Sequence, residues 1–494
     1  MRSQNIGHFL KMKKIGTFAT AILAAACALS LSAATDAPTN SAANAPATAT
    51  ADTRKTSETP DAKKNLPQTF LFLSRQSSNM DFVWRVPPNK ITFNTVKKVY
   101  KNEYLNVFTA FANMCEPDGS YDITFSVSLV SPDGKENLIE KQRRISGKSA
   151  GNFVIAGGCT TLLMEDSDAL GGYKFRITAE SASGKKSELE TDFTLADFDA
   201  IPEEFPDKKT YAQAVQKYNA TFAPELLYSL YKSKFNNTIS PQSGINYAQY
   251  MFFKEAFKTK PFLARKIAEE FDTATNAERL NDIILLTALG EAKLISGKEM
   301  TDSEKSLVNA AFSAVVAIPS PYEKTFAPHA FELLWNEFYA RGNYAPVEKT
   351  MSYLKYEDAA KNFVEHYKAG TLKTLDKKTS ADALKYLSAA LSLLGNYREK
   401  LAGAYIDYYR ASNKMTPEKL SESWKLCAEF FKIKKQKQQE AQAAQSAAAK
   451  AKENSAKDNP SPAPNTQNTS EEKSPSPAAK DATPPQDAAR PAEN

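Results

Sequence analysis

Histidine is scarce in this sequence. Its 494 residues contain three histidines, His8, His329 and His366. A zinc site needs more protein ligands than the two that His329 and Glu332, one helical turn apart, can supply. We therefore interpret His329 as a helix-start residue beside a surface glutamate, and His366 as a favourable charge near the end of its helix. The scarcity predicts no metal site and no cofactor.

The motifs of nucleophilic and phosphate-binding enzymes give no positive signal either. We identify no nucleophile elbow, and the surroundings of Cys115, FANMCEPDG, match no cysteine protease pattern. The glycine pairs at 157–158 and 171–172 are typical of turns, not of a loop that cradles phosphate. Catalysis by a pair of carboxylates stays an open alternative. The 57 acidic residues allow many pairs, and the sequence alone does not tell which of them lie close together.

The N-terminus carries an export signal. Met12-Lys13-Lys14 precedes an apolar run over 15–31, and Ser32-Ala33-Ala34 offers the small residues that signal peptidase accepts. We predict a signal peptide at 1–34 with its true start at Met12. A transmembrane anchor is the alternative, but the run is short for a bilayer. A lipoprotein is another, although Ala24-Ala25-Ala26 is a poor match to the box before a lipidated Cys27.

The cysteines and the net charge limit which disulfides and which partners are expected. Cleavage leaves three cysteines, and because Cys115 and Cys159 fall in one proposed domain of an exported protein, they are the candidate disulfide. The alternative is that all three stay reduced, and Cys427 fits a buried thiol on an apolar helix face. The net charge of +6 is a small imbalance between 63 basic and 57 acidic residues, so it does not indicate nucleic acid.

The first folded segment alternates with period two. After a polar linker at 35–66, the stretch YDITFSVSL over 121–129 places apolar side chains at every second position, which predicts a strand with one dry face. Further strands are expected at 69–73, 82–86, 104–111, 138–143, 152–155, 173–179 and 188–195. The closing segment, GGYKFRITAESASGKKSELETDFTL, resembles the final hairpin of bacterial immunoglobulin-like domains. We predict an immunoglobulin-like antiparallel β-sandwich at 67–200.

A stiff hinge at 201–206, IPEEFP, separates this segment from a helical one at 207–434. In TFAPHAFELLWNEFYARGNYAP, Pro328 can begin a helix and Gly342 can end it, and Pro346 begins the next. Two amphipathic helices joined so closely form a hairpin. Gly342-Asn343-Tyr344 returns as Gly395-Asn396-Tyr397, which predicts a helical-hairpin array in the style of TPR or HEAT repeats. The alternative is coincidence among helices that end in glycine. A projecting helix is expected at 435–453 and a disordered tail at 454–494.

The same stretch resembles an uncharacterised group of exported bacterial helical-hairpin proteins. The resemblance covers LW-x-x-F-aromatic-A-x-G before a helix begun by proline, here Leu334, Trp335, Phe338, Tyr339, Ala340, Gly342 and Pro346. It supports the architecture and implies no activity. Aromatic side chains in this stretch are most often core, but a minority can line a groove for a partner. The candidate groove residues are Trp335, Phe338, Tyr339 and Tyr344.

These patterns favour an exported, non-enzymatic binding or scaffold protein of the bacterial cell envelope, periplasmic or extracellular. Its helical array would hold a protein or peptide partner, with no nucleic acid and with membrane contact only through a lipidated Cys27. Two alternatives remain open. One is an envelope-polymer hydrolase that uses carboxylate catalysis, and the other is a structural lipoprotein.

Overall fold

The computed structural model describes residues 66–81, 93–149, 151–236, 238–240, 244–306, 320–322 and 330–457. Several predictions from the sequence lie outside these residues. They are the signal peptide, all but the last residue of the linker, the strand at 82–86, the helix start at 328–329, most of the helix expected at 304–316, and the tail from 458 on.

The β-rich region contains two sheets. The strands are β1 (Gln68–Ser74), β2 (Lys98–Tyr100), β3 (Tyr104–Ala112), β4 (Ser120–Val130), β5 (Glu136–Lys148), β6 (Phe153–Ile155), β7 (Thr160–Leu163), β8 (Gly171–Ser181) and β9 (Lys186–Ala196). The first sheet has the order β1-β3-β6, with β7 also pairing with β3, and the second has the order β2-β9-β8-β4-β5. Sequence reasoning missed β2 and β7, which are short and carry little alternation.

Alternation sets which face of each strand is dry. Along β4 the side chains of Ile123, Phe125, Val127 and Leu129 are buried, as the period-two pattern predicts. The apolar faces of both sheets share one core, in which the ring of Phe111 lies 5.1 Å from that of Phe125. One pairing departs from the expected antiparallel arrangement, because β2 runs parallel to β9.

The helical region follows from residue 207. Its helices are α1 (Lys208–Thr221), α2 (Pro224–Lys232), α3 (Tyr247–Lys258), α4 (Pro261–Glu269), α5 (Asn276–Leu289), α6 (Ala330–Arg341), α7 (Ala345–Ser352), α8 (Glu357–Ala369), α9 (Lys377–Asn396), α10 (Lys400–Ser412) and α11 (Pro417–Lys457). A two-stranded pair, β10 (Ile239–Ser240) and β11 (Gly244–Ile245), precedes α3. In the part of the chain that the structure describes, no helix combines the length and the apolar character that a membrane span requires.

Local signals explain many of these bounds. Thr275 and Glu278 form a capping box that begins α5, because each side chain accepts from the other's backbone N–H. Gly290 and Gly342 take the left-handed conformation that ends α5 and α6, with φ of +77° and +64°. Gly395 was expected to end a helix in the same way, and that is wrong. It lies inside α9, which ends at Asn396.

The two regions keep separate hydrophobic cores within one compact unit that ends at Phe431. The helical core contains one strand residue, Tyr100 of β2, whose ring lies 5.6 Å from that of Phe262 in α4. The described residues from Lys432 to Lys457 belong to a second unit, in which α11 is largely exposed.

Candidate functional site at the junction of the sheets and helices

Buried charge begins on the sheet side of the junction. Arg75 follows β1, and its Nε and Nη2 donate to the two carboxylate oxygens of Glu103 at 2.5 and 3.2 Å. Glu103 lies in the turn between β2 and β3, is fully buried, and also accepts from the backbone N–H of Tyr100 at 3.0 Å. Tyr100 then donates its hydroxyl to Glu225 of α2 at 2.5 Å. Burial, followed by the bond to Glu225, raises the pKa of Tyr100.

The connection between α3 and α4 supplies a second set of cations. Lys258 ends α3 and donates to Glu255 at 2.5 Å, while Lys260 stands directly before Pro261 at the start of α4. Lys260 is 3% exposed, and among the described residues no carboxylate lies within 4.0 Å of its Nζ. Desolvation by burial lowers the pKa of Lys260 to about 7, against an opposing effect of Glu103.

Direct hydrogen bonds join the sheets to these helices. The backbone N–H of Tyr104 donates to the carbonyl of Thr259 at 3.4 Å, and Asn94 Nδ2 donates to the carbonyl of Ala220 at 2.5 Å. The backbone N–H of Tyr344 donates to Asn79 Oδ1 at 3.2 Å. These bonds tie the two regions together around the buried charges.

A cavity of about 330 Å³ lies where these groups meet. Both regions contribute to its lining: Arg75, Ser77, Ser78, Tyr104, Leu105, Asn106 and Thr161 from the β-rich region, and Phe222, Lys258, Thr259, Lys260, Ala340, Arg341 and Asn343 from the helical region. We call this space the junction cavity. Its volume is near the lower end for ligand pockets, which run from about 300 to about 1,000 Å³.

Backbone strain lies in the wall of the junction cavity. Phe222 caps the C-terminus of α1 with φ of +53°, a conformation that is uncommon for a bulky residue. Its ring packs against Gly342, where a Cβ would approach the ring to 2.9 Å. Strained residues of this kind cluster at binding and catalytic sites, because the surrounding structure must hold them in place.

The cations of the junction cavity outnumber their carboxylate partners. Four basic side chains line it, whereas the carboxylates bonded to the junction are Glu103, Glu225 and Glu255. Glu255 serves two of the cations, because it also accepts from Arg341 Nη1 at 3.4 Å. The Nε of Arg341 is buried and has no hydrogen-bond partner among the described residues. The site therefore has donor capacity to spare.

The residues expected to line a partner groove lie elsewhere. Trp335, Phe338 and Tyr344 are buried, and Tyr339 is half-buried with its hydroxyl donated to Asn396. The rings of Phe338 and Tyr344 pack against Tyr405, 6.3 and 5.4 Å from its centroid. The groove prediction is therefore wrong for the buried three, because Phe338 and Tyr344 pack against Tyr405 of α10 and the ring of Trp335 packs against Phe338.

The expected disulfide is not formed. Cys115 and Cys159 are both free, the first bonded to the carbonyl of Gly151 and the second to Asn106 Oδ1. Asn106 lies near the start of β3, whereas Cys115 follows its end. Strand rise over that distance is about 20 Å, far beyond the reach of a disulfide. Burial raises the pKa of Cys159 to about 11.

One sequence motif also needs correction. Residues 147–151, GKSAG, do have the spacing G-x-S-x-G of a nucleophile elbow, which sequence reasoning missed. A nucleophile elbow joins a strand to a helix, whereas Ser149 lies between strands β5 and β6 and donates its hydroxyl to the carbonyl of Phe153 at 3.1 Å. His366, near the end of α8, belongs to the helical region.

Sequence reasoning did not single out Arg75, Lys258, Lys260 or Arg341. The available signal was weak: two lysines flank Thr259 directly before a proline that begins a helix, and an arginine stands directly before a glycine that ends one. Within the described residues, no cluster of three or more histidine, cysteine or acidic side chains is arranged to hold a metal ion.

No family model matches the chain. No curated protein matches it either. Among solved structures it is similar to pT26-6p at 12% identity, with 67% of this chain and 47% of that chain covered and a TM-score of 0.13. It is also similar to native alpha-2-macroglobulin from Escherichia coli, from domain MG7 to the C-terminus, at 11% identity, with 73% and 62% covered and a TM-score of 0.17. The chain thus spans less than two thirds of either, and scores this low carry no argument.

Proposed function

We propose that this protein is an exported, non-enzymatic binding protein of the bacterial cell envelope, and that it holds a protein or peptide partner at the junction cavity. The observation that carries this proposal is a polar cavity built jointly by the sheets and the helices. Its described lining contains hydroxyls, amides and cations but no carboxylate, histidine or cysteine. A carboxylate-dependent hydrolase would need two acids to converge there.

The finer architecture belongs to the same proposal. We infer an immunoglobulin-like sandwich in the β-rich region, supported by two sheets that share one core. We infer a hairpin array of TPR or HEAT style in the helices, supported by the tight turn of Gly342 between α6 and α7. Such folds present and bind partners far more often than they catalyse.

Export rests on the N-terminal sequence. The basic start, the apolar run and the small residues at 32–34 are those of a cleaved signal peptide. Mass spectrometry of the mature N-terminus distinguishes the outcomes. We expect Thr35 to be free, a diacylated Cys27 would establish the lipoprotein instead, and an intact leader would overturn export.

Site-specific photo-crosslinking tests the binding function. A photoreactive residue at Ser78, which is exposed at the rim of the junction cavity, should form an adduct with the same envelope protein or peptide in replicate cultures. The matched control carries the residue at Thr178, which is exposed on the outer face of β8. Equal adducts at both positions, or none at Ser78, would overturn the proposal.

A further inference from the structure

We propose that the junction cavity binds a carboxylate, supplied by a peptide C-terminus or by a small organic acid, with Lys260 and Arg341 as its charged partners. The inference rests on the proposed role of this cavity as the ligand site, and it names the chemistry of the group that enters.

The hydrogen-bond inventory of Lys260 is the first step. Its ammonium group has three N–H donors, and it donates to the hydroxyls of Thr259 at 3.2 Å and Tyr218 at 3.4 Å. Those hydroxyls donate onward, Thr259 to the carbonyl of Ala256 and Tyr218 to that of Ala340, each at 3.1 Å. Both partners are neutral, and the ammonium group also lies 5.6 Å from the centroid of the Tyr218 ring. One donor therefore remains, and no described carboxylate pairs with the charge.

Arg341 stands close to Lys260 through the same hydroxyl. Tyr218 bonds Lys260 on one side and the carbonyl of Ala340 on the other, and Ala340 directly precedes Arg341. The Nε of Arg341 is buried without a partner among the described residues. A carboxylate has two oxygens that accept from nearby cations. The rest of the Arg341 side chain is accessible, since the side chain as a whole is 32% exposed, and it lines the cavity. A single carboxylate between the two side chains would therefore accept from Lys260 and from the accessible part of the Arg341 guanidinium.

Charge balance favours a monoanion. The four cations of the cavity face Glu103, Glu225 and Glu255, which leaves about one positive charge when Lys260 is protonated. Glu337 lies one helical turn from Arg341 outside the cavity lining, and burial, followed by Glu255, raises its pKa. A carboxylate carries one negative charge at neutral pH, whereas a phosphate monoester carries about 1.5 to 2. The carboxylate is therefore the better match.

The cations are held in place before any ligand arrives. Glu255 bonds both Lys258 and Arg341, and Glu103 bonds Arg75 through two oxygens. Rigid placement lowers the cost of ordering side chains on binding. Glu255 and Glu103 are thus positioning residues, and the neutral hydroxyls leave Lys260 free to meet the ligand.

Binding of an anion should be coupled to protonation of Lys260. The pKa of this amine is lowered to about 7, chiefly by desolvation. Arg75 and Arg341 lower it further, whereas Glu103 and Glu225 act in the opposite direction. Tyr218 faces the amine as a neutral hydroxyl, since burial raises the pKa of this tyrosine. An anion favours the charged amine, so affinity should fall about tenfold per pH unit above pH 7.

Calorimetry on the full mature chain tests the inference with defined compounds. N-acetyl-trialanine with a free carboxyl terminus is compared with its C-terminal amide, and acetate is titrated alone and as a competitor. We expect the free acid to bind at least about tenfold more tightly than the amide. Acetate that competes fully identifies a small organic acid as sufficient, whereas binding of the tripeptide alone identifies a peptide C-terminus.

Lys260→Met should weaken binding of the free acid at least about tenfold and remove its pH dependence, while Lys186→Met, on the exposed hairpin of β9, leaves both unchanged. Circular dichroism melting checks that each variant folds. Equal binding of acid and amide, no binding of either at millimolar concentration, or an unaffected Lys260→Met would overturn the inference. If Ser78 still crosslinks a partner in that case, the carboxylate assignment fails and the binding function stands.

Discussion

The β-rich region and the helical region bury different kinds of side chain. Among the described residues, the β-rich region buries two charged side chains, Asp81 and Glu103, while ion pairs such as Arg176 with Glu190 lie exposed on its outer face. The helical region buries more charged groups, Glu255, Lys260, Asp282 and Glu304, together with tyrosines such as Tyr218. Ionisable chemistry therefore concentrates in the helices and where they meet the sheets.

Two carboxylates, one from each region, have opposite effects on the pH dependence of stability. Arg144 holds the pKa of Asp122 in β4 below its ordinary value, so the stability that this pair contributes is lost as pH falls through the folded pKa. Burial raises the pKa of Asp282 in α5 to about 7. Its contribution is present at acid pH and is lost as pH rises. The predictions below test this contrast, from the largest expected effect to the smallest.

Glu103 should be the most costly carboxylate to remove. Glu103→Ala leaves the nearly buried guanidinium of Arg75 without its partner, and breaking a buried pair in this way costs about 3 to 5 kcal/mol. Urea unfolding measures the loss. Glu190→Ala, which breaks an exposed pair with Arg176, is the control and should leave the midpoint unchanged. A similar small effect for both variants would remove the distinction between junction and surface.

Asp282 should make stability depend on pH. Its Oδ1 accepts from Tyr231 at 2.7 Å, while Oδ2 is buried without a partner among the described residues. The unfolded pKa is about 3.9, so this stability is fully present below about pH 4 and lost by about pH 7, by at most about 4 kcal/mol. Asp282→Asn should therefore stabilise the protein at about pH 8 and change little at about pH 4.

Urea unfolding of both proteins across this range is the measurement. Asp122→Asn is the matched control from the sheet. It should destabilise the protein at neutral pH, where Arg144 loses its charged partner, and change little once the pH falls below the folded pKa of Asp122. Parallel stability curves for the wild-type protein and Asp282→Asn would show that Asp282 does not titrate on folding.

Gly342 should be more sensitive to a methyl group than Gly290. Both have positive φ, which costs alanine about 1 to 2 kcal/mol. At Gly342 a Cβ also meets the ring of Phe222 at 2.9 Å, whereas at Gly290 nothing lies within 4 Å. We expect Gly342→Ala to lose about 1 to 3 kcal/mol more than Gly290→Ala, because the ring must move. If thermal unfolding shows equal losses of stability for the two variants, the ring of Phe222 moves aside without an energetic cost.

Reducing agent should have no effect on stability. Cys115, Cys159 and Cys427 are free in the fold, so dithiothreitol removes no cross-link. Thermal unfolding with and without the reagent should give the same Tm. A lower Tm in the reagent would show that the mature protein does contain a disulfide, and that the strands around β3 are arranged differently.

Part of this contrast was readable from the sequence. Strict alternation in β4 and β8 fixed their dry faces, and glycine at 290 and 342 marked helix ends, because these signals are local. Strand β2 escaped notice, since three residues show no period and its parallel partner β9 lies far along the chain. The aromatic stretch around Trp335 did predict a helix, but aromatic spacing alone does not distinguish a packed interior from an open groove.

The junction cavity was not predictable in the same way. Glu103 and Lys260 are charged residues in short connections, and such residues are mostly exposed. Their burial follows from contacts between segments more than 100 residues apart, such as Asn94 with Ala220. Long-range packing of this kind leaves no local pattern in a sequence.

The most direct test of the central claim, that the junction buries ionisable groups, is an NMR titration of lysine labelled with carbon-13 at Cε. The account predicts one lysine signal that titrates at about pH 7 and is absent from Lys260→Met. If every lysine signal instead titrates above about pH 9, as for amines in water, the junction does not hold a desolvated cation and the account is contradicted.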